Sequence, residues 1–263
     1  MVDGDTMRDQ PDRLVTEEPM EIRVQGPAGP PAPVSVTMRT PGHDFELAVG
    51  FCLSERVVAG PDDVVTVEYC LRAEGPQEYN VVTVTTRVPV DLDAHRRLFV
   101  SNASCGLCGK TTLDQLEAVC SPVTSATSVS ATALRAMPGR LRAAQAVFEA
   151  TGGVHATGLF DPDGRLRVVR EDVGRHNALD KVVGWAALSG QLPLFDAVCL
   201  VSGRVSFEIV QKAATAGIPV VGAVSAPSSL AVQTAERLGV TVVGFLRGDR
   251  FNVYSRPERV IAT

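Results

Sequence analysis

The segment Gly217-Ile218-Pro219-Val220-Val221-Gly222 returns one structural unit later as Gly239-Val240-Thr241-Val242-Val243-Gly244, and Ala197-Val198-Cys199-Leu200-Val201 precedes both as a third continuous apolar run. Apolar runs without polar alternation are strands buried on both faces of a parallel sheet. The glycine that opens each repeat is suited to end a helix, because it enters the left-handed conformation without a steric cost. Between the runs, residues of about 206–216 and 229–238 carry apolar side chains at helical spacing, so the order is strand, helix, strand, helix, strand. Right-handed β-α-β crossovers then build a layered α/β sheet.

Upstream, residues 154–160, the turn Asp161-Pro162-Asp163-Gly164 and residues 166–169 predict a hairpin. Residues 134–150 and 174–188 predict helices, the first ended by Gly152-Gly153. The first hundred residues differ in character. Residues 20–24 and 34–38 alternate like strands around the turn-forming run Gly26-Pro27-Ala28-Gly29-Pro30-Pro31. Residues 44–58 read as a helix packed on that hairpin, and residues 64–70 and 80–88 as further strands. The expected division is a flexible or loosely attached tail over 1–19, a small β-rich unit with one helix over 20–100, and an α/β domain over 101–263.

Charge and composition bound the function. With 25 Lys and Arg against 30 Asp and Glu, the net charge of −5 argues against a general nucleic-acid binder. No apolar run approaches the roughly 18 residues needed to cross a bilayer. The polar, acidic first ten residues do not read as a secretory signal. The six cysteines are therefore expected to be free thiols in a reducing cytoplasm, with Cys52 and Cys70 as small core residues.

In a sheet of this kind ligands gather beyond the carboxyl ends of the strands. Those ends read Ser202-Gly203-Arg204, Ser225-Ala226-Pro227-Ser228-Ser229 and Arg247-Gly248-Asp249-Arg250. The first two lead into helix N-termini, where free N–H groups and the helix dipole favour an anion. Hydroxyls at Ser202, Ser206, Ser225 and Ser228, with guanidiniums at Arg204, Arg247 and Arg250, suit phosphate, and Asp249 can accept from a ribose or a guanine edge. The plainer alternative is that each serine is a helix cap and each arginine a surface residue. The convergence of three loops favours a nucleotide-like ligand, although no glycine-rich phosphate fingerprint is present.

The stretch Ser101-Asn102-Ala103-Ser104-Cys105-Gly106-Leu107-Cys108-Gly109-Lys110 places two thiols on a glycine-rich loop before a predicted helix. The positive helix end and Lys110 both lower a thiol pKa. Zinc needs about four ligands, this pair supplies two, and His43, His95, His155 and His176 show no ligand spacing. An iron–sulfur cluster fails on the same count. Two readings remain: a thiol–disulfide exchanger, or a persulfide carrier in which one thiolate accepts sulfane sulfur and the other releases it. A second polar cluster, Glu171-Asp172-Val173-Gly174-Arg175-His176-Asn177-Ala178-Leu179-Asp180-Lys181, offers Arg175, His176 and Lys181 for an anionic site or a proton shuttle. Its plainer reading is a charged helix start with His176 and Asp180 paired at i,i+4.

These segments together resemble the formate dehydrogenase accessory sulfurtransferase family, FdhD. The resemblance is carried by Ser-Cys-Gly-Leu-Cys-Gly-Lys at 104–110, the cluster at 171–181, Ser-Gly-Arg-Val-Ser-Phe-Glu-Ile-Val-Gln-Lys-Ala at 202–213, Val-Ser-Ala-Pro at 224–227, and Gly-Phe-Leu-Arg through Arg-Phe-Asn-Val-Tyr at 244–254. It implies an α/β fold with a layered sheet of cytidine-deaminase-like type beside the smaller N-terminal β-rich unit, and a homodimer. It further implies a sulfurtransferase that takes sulfur from a cysteine desulfurase and delivers it to a molybdenum (or tungsten) bis-molybdopterin guanine dinucleotide, so that formate dehydrogenase becomes active. The deaminases' zinc signature is not present, so neither zinc nor deamination carries over. The family's persulfide cysteine falls on Cys105 and Cys108, and its cofactor-binding segment on Phe245, Leu246, Arg247, Gly248, Asp249 and Arg250, with Ser202, Arg204 and Ser225 on the neighbouring loops. Cys105 is the first choice for the persulfide and Cys108 the alternative; the sequence does not order them. GDP is the expected mimic of the acceptor.

Overall fold

The computed structural model describes residues 2–71, 77–91 and 120–262, so the Cys105–Cys108 loop and the helix expected after it lie outside the described residues. The chain opens with a short hairpin of β1 (Val2–Asp3) and β2 (Thr6–Met7). A four-stranded sheet follows, from β3 (Glu18–Gln25), β4 (Ala32–Arg39), β5 (Val64–Tyr69) and β6 (Val81–Thr86), in the order β4-β3-β6-β5. In β3 the alternation expected from the sequence is realised: Met20, Ile22 and Val24 are buried and the residues between them are not. The β3–β4 hairpin forms as expected, while β6 joins β3 in parallel.

Helix α1 (Asp44–Ser54) is four residues shorter than the sequence suggests, and it packs chiefly on another helix rather than on the hairpin. That helix is α4 (Arg175–Leu188), reached after β7 (Val129–Ser130), α2 (Ala131–Ala143), α3 (Ala146–Thr151), β8 (His155–Phe160) and β9 (Leu166–Asp172). The long helix expected over 134–150 is thus two helices with a break at Ala144 and Gln145. The break has a tertiary cause: the carboxylate of Glu171, on β9, accepts from the Val147 and Phe148 N–H groups at 2.8 Å each and so caps a new helix start.

The last third follows the repeat. Strands β10 (Val198–Val201), β11 (Val220–Ala223) and β12 (Thr241–Arg247) are parallel, joined by α5 (Phe207–Thr215) and α6 (Ser229–Leu238). Every residue of β10 and β11 is buried. Gly217 and Gly239 both take positive φ, 80° and 67°, where the helices end. Strand β13 (Arg250–Val253) and the β8–β9 hairpin add antiparallel edges, giving six strands in the order β13-β12-β11-β10-β8-β9. The terminal β14 (Val260–Ile261) pairs with β7.

One hydrophobic core fills the face under α1, α4, α5 and α6 and continues into the four-stranded sheet through Met20, Ile22, Val82 and Val84. A second lies on the opposite face beneath α2, around Leu134, Met137, Leu141 and Phe160.

Candidate functional site

At the carboxyl edge of β10, β11 and β12 the three loops meet through backbone. Val205 bridges Pro227, the Ser228 N–H donates to the Val205 carbonyl at 3.0 Å, and the Phe245 N–H donates to the Ser225 carbonyl at 3.0 Å. Because β8 runs antiparallel to β10, its first residue, His155, stands at the same edge. So does the start of α4, which follows the end of β9. The serines divide. Ser228 caps α6 by accepting from the Ala231 N–H at 3.2 Å. Ser206 makes no cap bond and instead lies 3.2 Å from Nε2 of His176. The Ser202 hydroxyl accepts from the Ala156 N–H at 2.9 Å, which leaves its proton to donate elsewhere.

The run from Phe245 to Arg250 does not act as one surface. Phe245 sits at φ 53°, within a register shift between Gly244 and Arg247. This bulge breaks strand alternation, so Leu246 turns into the core under α2 with no exposure. Arg247, Gly248, Asp249 and Arg250 are exposed, and the Arg247 guanidinium lies 5.9 Å from the Phe245 ring centroid. Arg135 of α2 steadies the turn by donating to the Asp249 carbonyl at 3.1 Å. Arg204, Arg247 and Arg250 make no ion pair among the described residues, which leaves three guanidiniums for an anion.

The Glu171–Lys181 segment sorts into struts and free groups. Lys181 Nζ lies 2.7 Å from Asp172, with both side chains buried, and donates to the Thr40 carbonyl at 2.9 Å. Asp172 also accepts from the N–H groups of Thr40 and Gly174 and from Asn177. Asp180 does not pair with His176; its two oxygens lie 3.0 Å from Lys212 on α5. Lys181 is therefore a strut, and Arg175 and His176 are what the segment presents to the edge. The imidazole of His176 is pushed down to about 4, first by burial and then by the Arg175 guanidinium. That of His155 is lowered by burial and again by Arg175. Both rings are neutral near pH 7, so Arg175 is the cation of this corner.

Beside the corner, a cavity of about 650 Å³ opens between α2–α3 and the strand ends, with Gln145, His155 and Ser202 in its wall beside Leu141, Phe148 and Val154. Of these only Ser202 was legible as a site residue. His155 shows no motif, and Gln145 enters the wall because of the helix break, which depends on a residue distant in sequence. Among the described residues no cluster of three His, Cys, Asp or Glu is arranged to hold a metal, and no helix is long and apolar enough to cross a membrane.

The FdhD/NarQ family model matches residues 15–261. The "Sulfur carrier protein FdhD" of Mycolicibacterium paratuberculosis is 52% identical over 258 residues, covering 95% of this chain and 93% of that protein. That of Mycobacterium tuberculosis is 51% identical over 267 residues, covering 98% and 95%, and that of Thermoplasma acidophilum 43% identical over 250 residues, covering 95% and 87%. A crystal structure of a candidate formate dehydrogenase accessory protein from Desulfotalea psychrophila shares the fold, with a TM-score of 0.73 at 24% identity over 95% of this chain and 91% of that one.

Proposed function

The chain belongs to the FdhD/NarQ family, and we propose that it is a sulfur carrier serving a formate dehydrogenase. The observation that carries this reading is that relatives named as sulfur carriers match it at about half of all positions over nearly its whole length. In the finer form of the proposal, sulfur comes from a cysteine desulfurase and goes to a molybdenum (or tungsten) bis-molybdopterin guanine dinucleotide, which is a substrate here rather than a resident cofactor. The protein works as a cytoplasmic homodimer, and the β10–β12 sheet is read as the cytidine-deaminase-like type.

A thiolate of Cys105 or Cys108 attacks the terminal sulfur of the donor's persulfide. The donor's S–S bond breaks, its thiolate leaves, and the terminal sulfur stays as a new persulfide on this chain. When the second thiol attacks the inner sulfur, a Cys105–Cys108 disulfide forms and hydrosulfide is released to the acceptor; an external thiol then reduces the disulfide. The free guanidiniums of Arg204, Arg247 and Arg250 support a multiply charged acceptor at the strand ends. Incubation with a desulfurase and cysteine should raise the intact mass by one sulfur atom, and Cys105→Ala or Cys108→Ala should abolish the gain. No gain in the unaltered protein would refute the persulfide, and full dehydrogenase activation by a variant lacking both thiols would refute sulfur carriage.

A further inference from the structure

We infer that the cavity between α2–α3 and the carboxyl ends of β10 and β11 is a nucleoside diphosphate pocket, with the base inside read by Gln145 and the diphosphate at the rim on Ser202 and Arg175. The inference rests on the proposed guanine-bearing acceptor and goes beyond it, since it places a heterocycle away from the Arg247–Arg250 hairpin.

The cavity, at about 650 Å³, is of the size that takes a small molecule. Its Leu141, Phe148 and Val154 surfaces suit a flat ring. Gln145 is only 6% exposed, yet its carboxamide has no hydrogen-bond partner among the described residues. A buried amide without a partner is costly, and one facing a cavity is matched by a ligand that supplies both a donor and an acceptor. The N–H and carbonyl of a guanine edge do so. At the rim, Ser202 has a hydroxyl proton to give, and Nε of Arg175 is buried without a partner among the described residues. Gly203 lies between: a Cβ there would sit 3.4 Å from Nδ1 of His155 and 3.9 Å from Cδ of Arg175, so the glycine keeps both groups close to the backbone N–H groups of the loop. Arg142, also in the wall, is already engaged, 2.6 Å from Glu149 and 4.6 Å from the Phe148 ring centroid. Strand β11 separates Ser202 from Arg247, a gap of roughly 10 Å at the usual strand spacing. One phosphate cannot touch both places, whereas a dinucleotide or two phosphate groups can.

The test is calorimetric titration of the full chain with GDP, ADP and inorganic pyrophosphate, with thermal melting to confirm that each variant is folded. Gln145→Leu should weaken GDP about tenfold and leave pyrophosphate unchanged. Arg175→Gln should weaken both. If both folded variants bind GDP as the parent does while Arg247→Ala weakens it, the pocket is overturned and the acceptor reading stands. If the parent binds ADP or pyrophosphate in an Arg175-dependent way but not GDP, the pocket stands and the guanine acceptor falls. Binding of none of the three overturns both.

Discussion

Gly50 and Gly184 let the backbones of α1 and α4 touch: a Cβ on Gly50 would lie 1.8 Å from the Asp180 carbonyl oxygen, and one on Gly184 would lie 1.8 Å from that of Glu46. No side-chain rotation relieves a clash with backbone, so the helices must separate. Gly184→Ala or Gly50→Ala should therefore destabilise the fold by about 1–3 kcal/mol or more, despite the better helix propensity of alanine. Urea denaturation measures this; a stability equal to the parent's would mean that the crossing is not as close as described.

The same crossing covers a buried charge cluster. Lys212 Nζ lies 2.7 Å from Glu55 and 3.0 Å from Asp180, and its side chain is 5% exposed. Burial pushes the Asp180 carboxyl up to about 6, with Lys212 pulling the other way. Lys212→Met removes the cation and leaves Asp180 and Glu55 facing each other, which should cost about 3–5 kcal/mol near neutral pH. The loss should shrink on acidification through pH 6 as Asp180 takes up a proton. A loss of stability that does not vary with pH would contradict this account.

The parts of the fold that were legible depend on local pattern. Val220 and Val242 announce buried strands by their neighbours alone, and Gly217 and Gly239 end helices by a conformational preference of their own. The parts that were not legible depend on partners remote in the chain. The break at Gln145 needs Glu171, and the docking of α1 on α4 needs two glycines more than a hundred residues apart. Arg175 and Lys181 look alike as basic residues of one motif; only the fold shows that Lys181 is spent on Asp172 while Arg175 reaches the edge. Leu246 stands inside a run of cofactor-type residues, and only the bulge at Phe245 shows that it faces the core.

The lowered pKa of His176 gives the acid limb of stability a definite sign. The unfolded imidazole titrates near 6.5 and the folded one at about 4, so between these values the unfolded chain binds more protons. The contribution is complete above about pH 6.5 and is lost as pH falls towards 4. His176→Gln should flatten the rise in stability across this window while preserving a hydrogen bond to Ser206. Denaturation midpoints at several pH values decide it; parallel curves for the two proteins would place the ring in contact with solvent instead.

The run 245–250 separates stability from binding within six residues. Leu246 is fully buried beneath α2, so Leu246→Ala should cost about 2–5 kcal/mol of stability by leaving a cavity. Arg247 and Arg250 are exposed and paired across the β12–β13 hairpin, which aims two like charges the same way without a carboxylate between them. Such a pair is retained at no benefit to folding, because like charges repel. Arg247→Ala and Arg250→Ala should thus leave the melting temperature unchanged or slightly raised and weaken GDP roughly tenfold, as expected for a charge-assisted bond. The weakening should fade at high salt, where the parent's own affinity falls through screening. Titration at two ionic strengths tests both parts: a variant that loses stability rather than affinity would show the arginines to be structural, and the exposed turn would then have no claim on an anion.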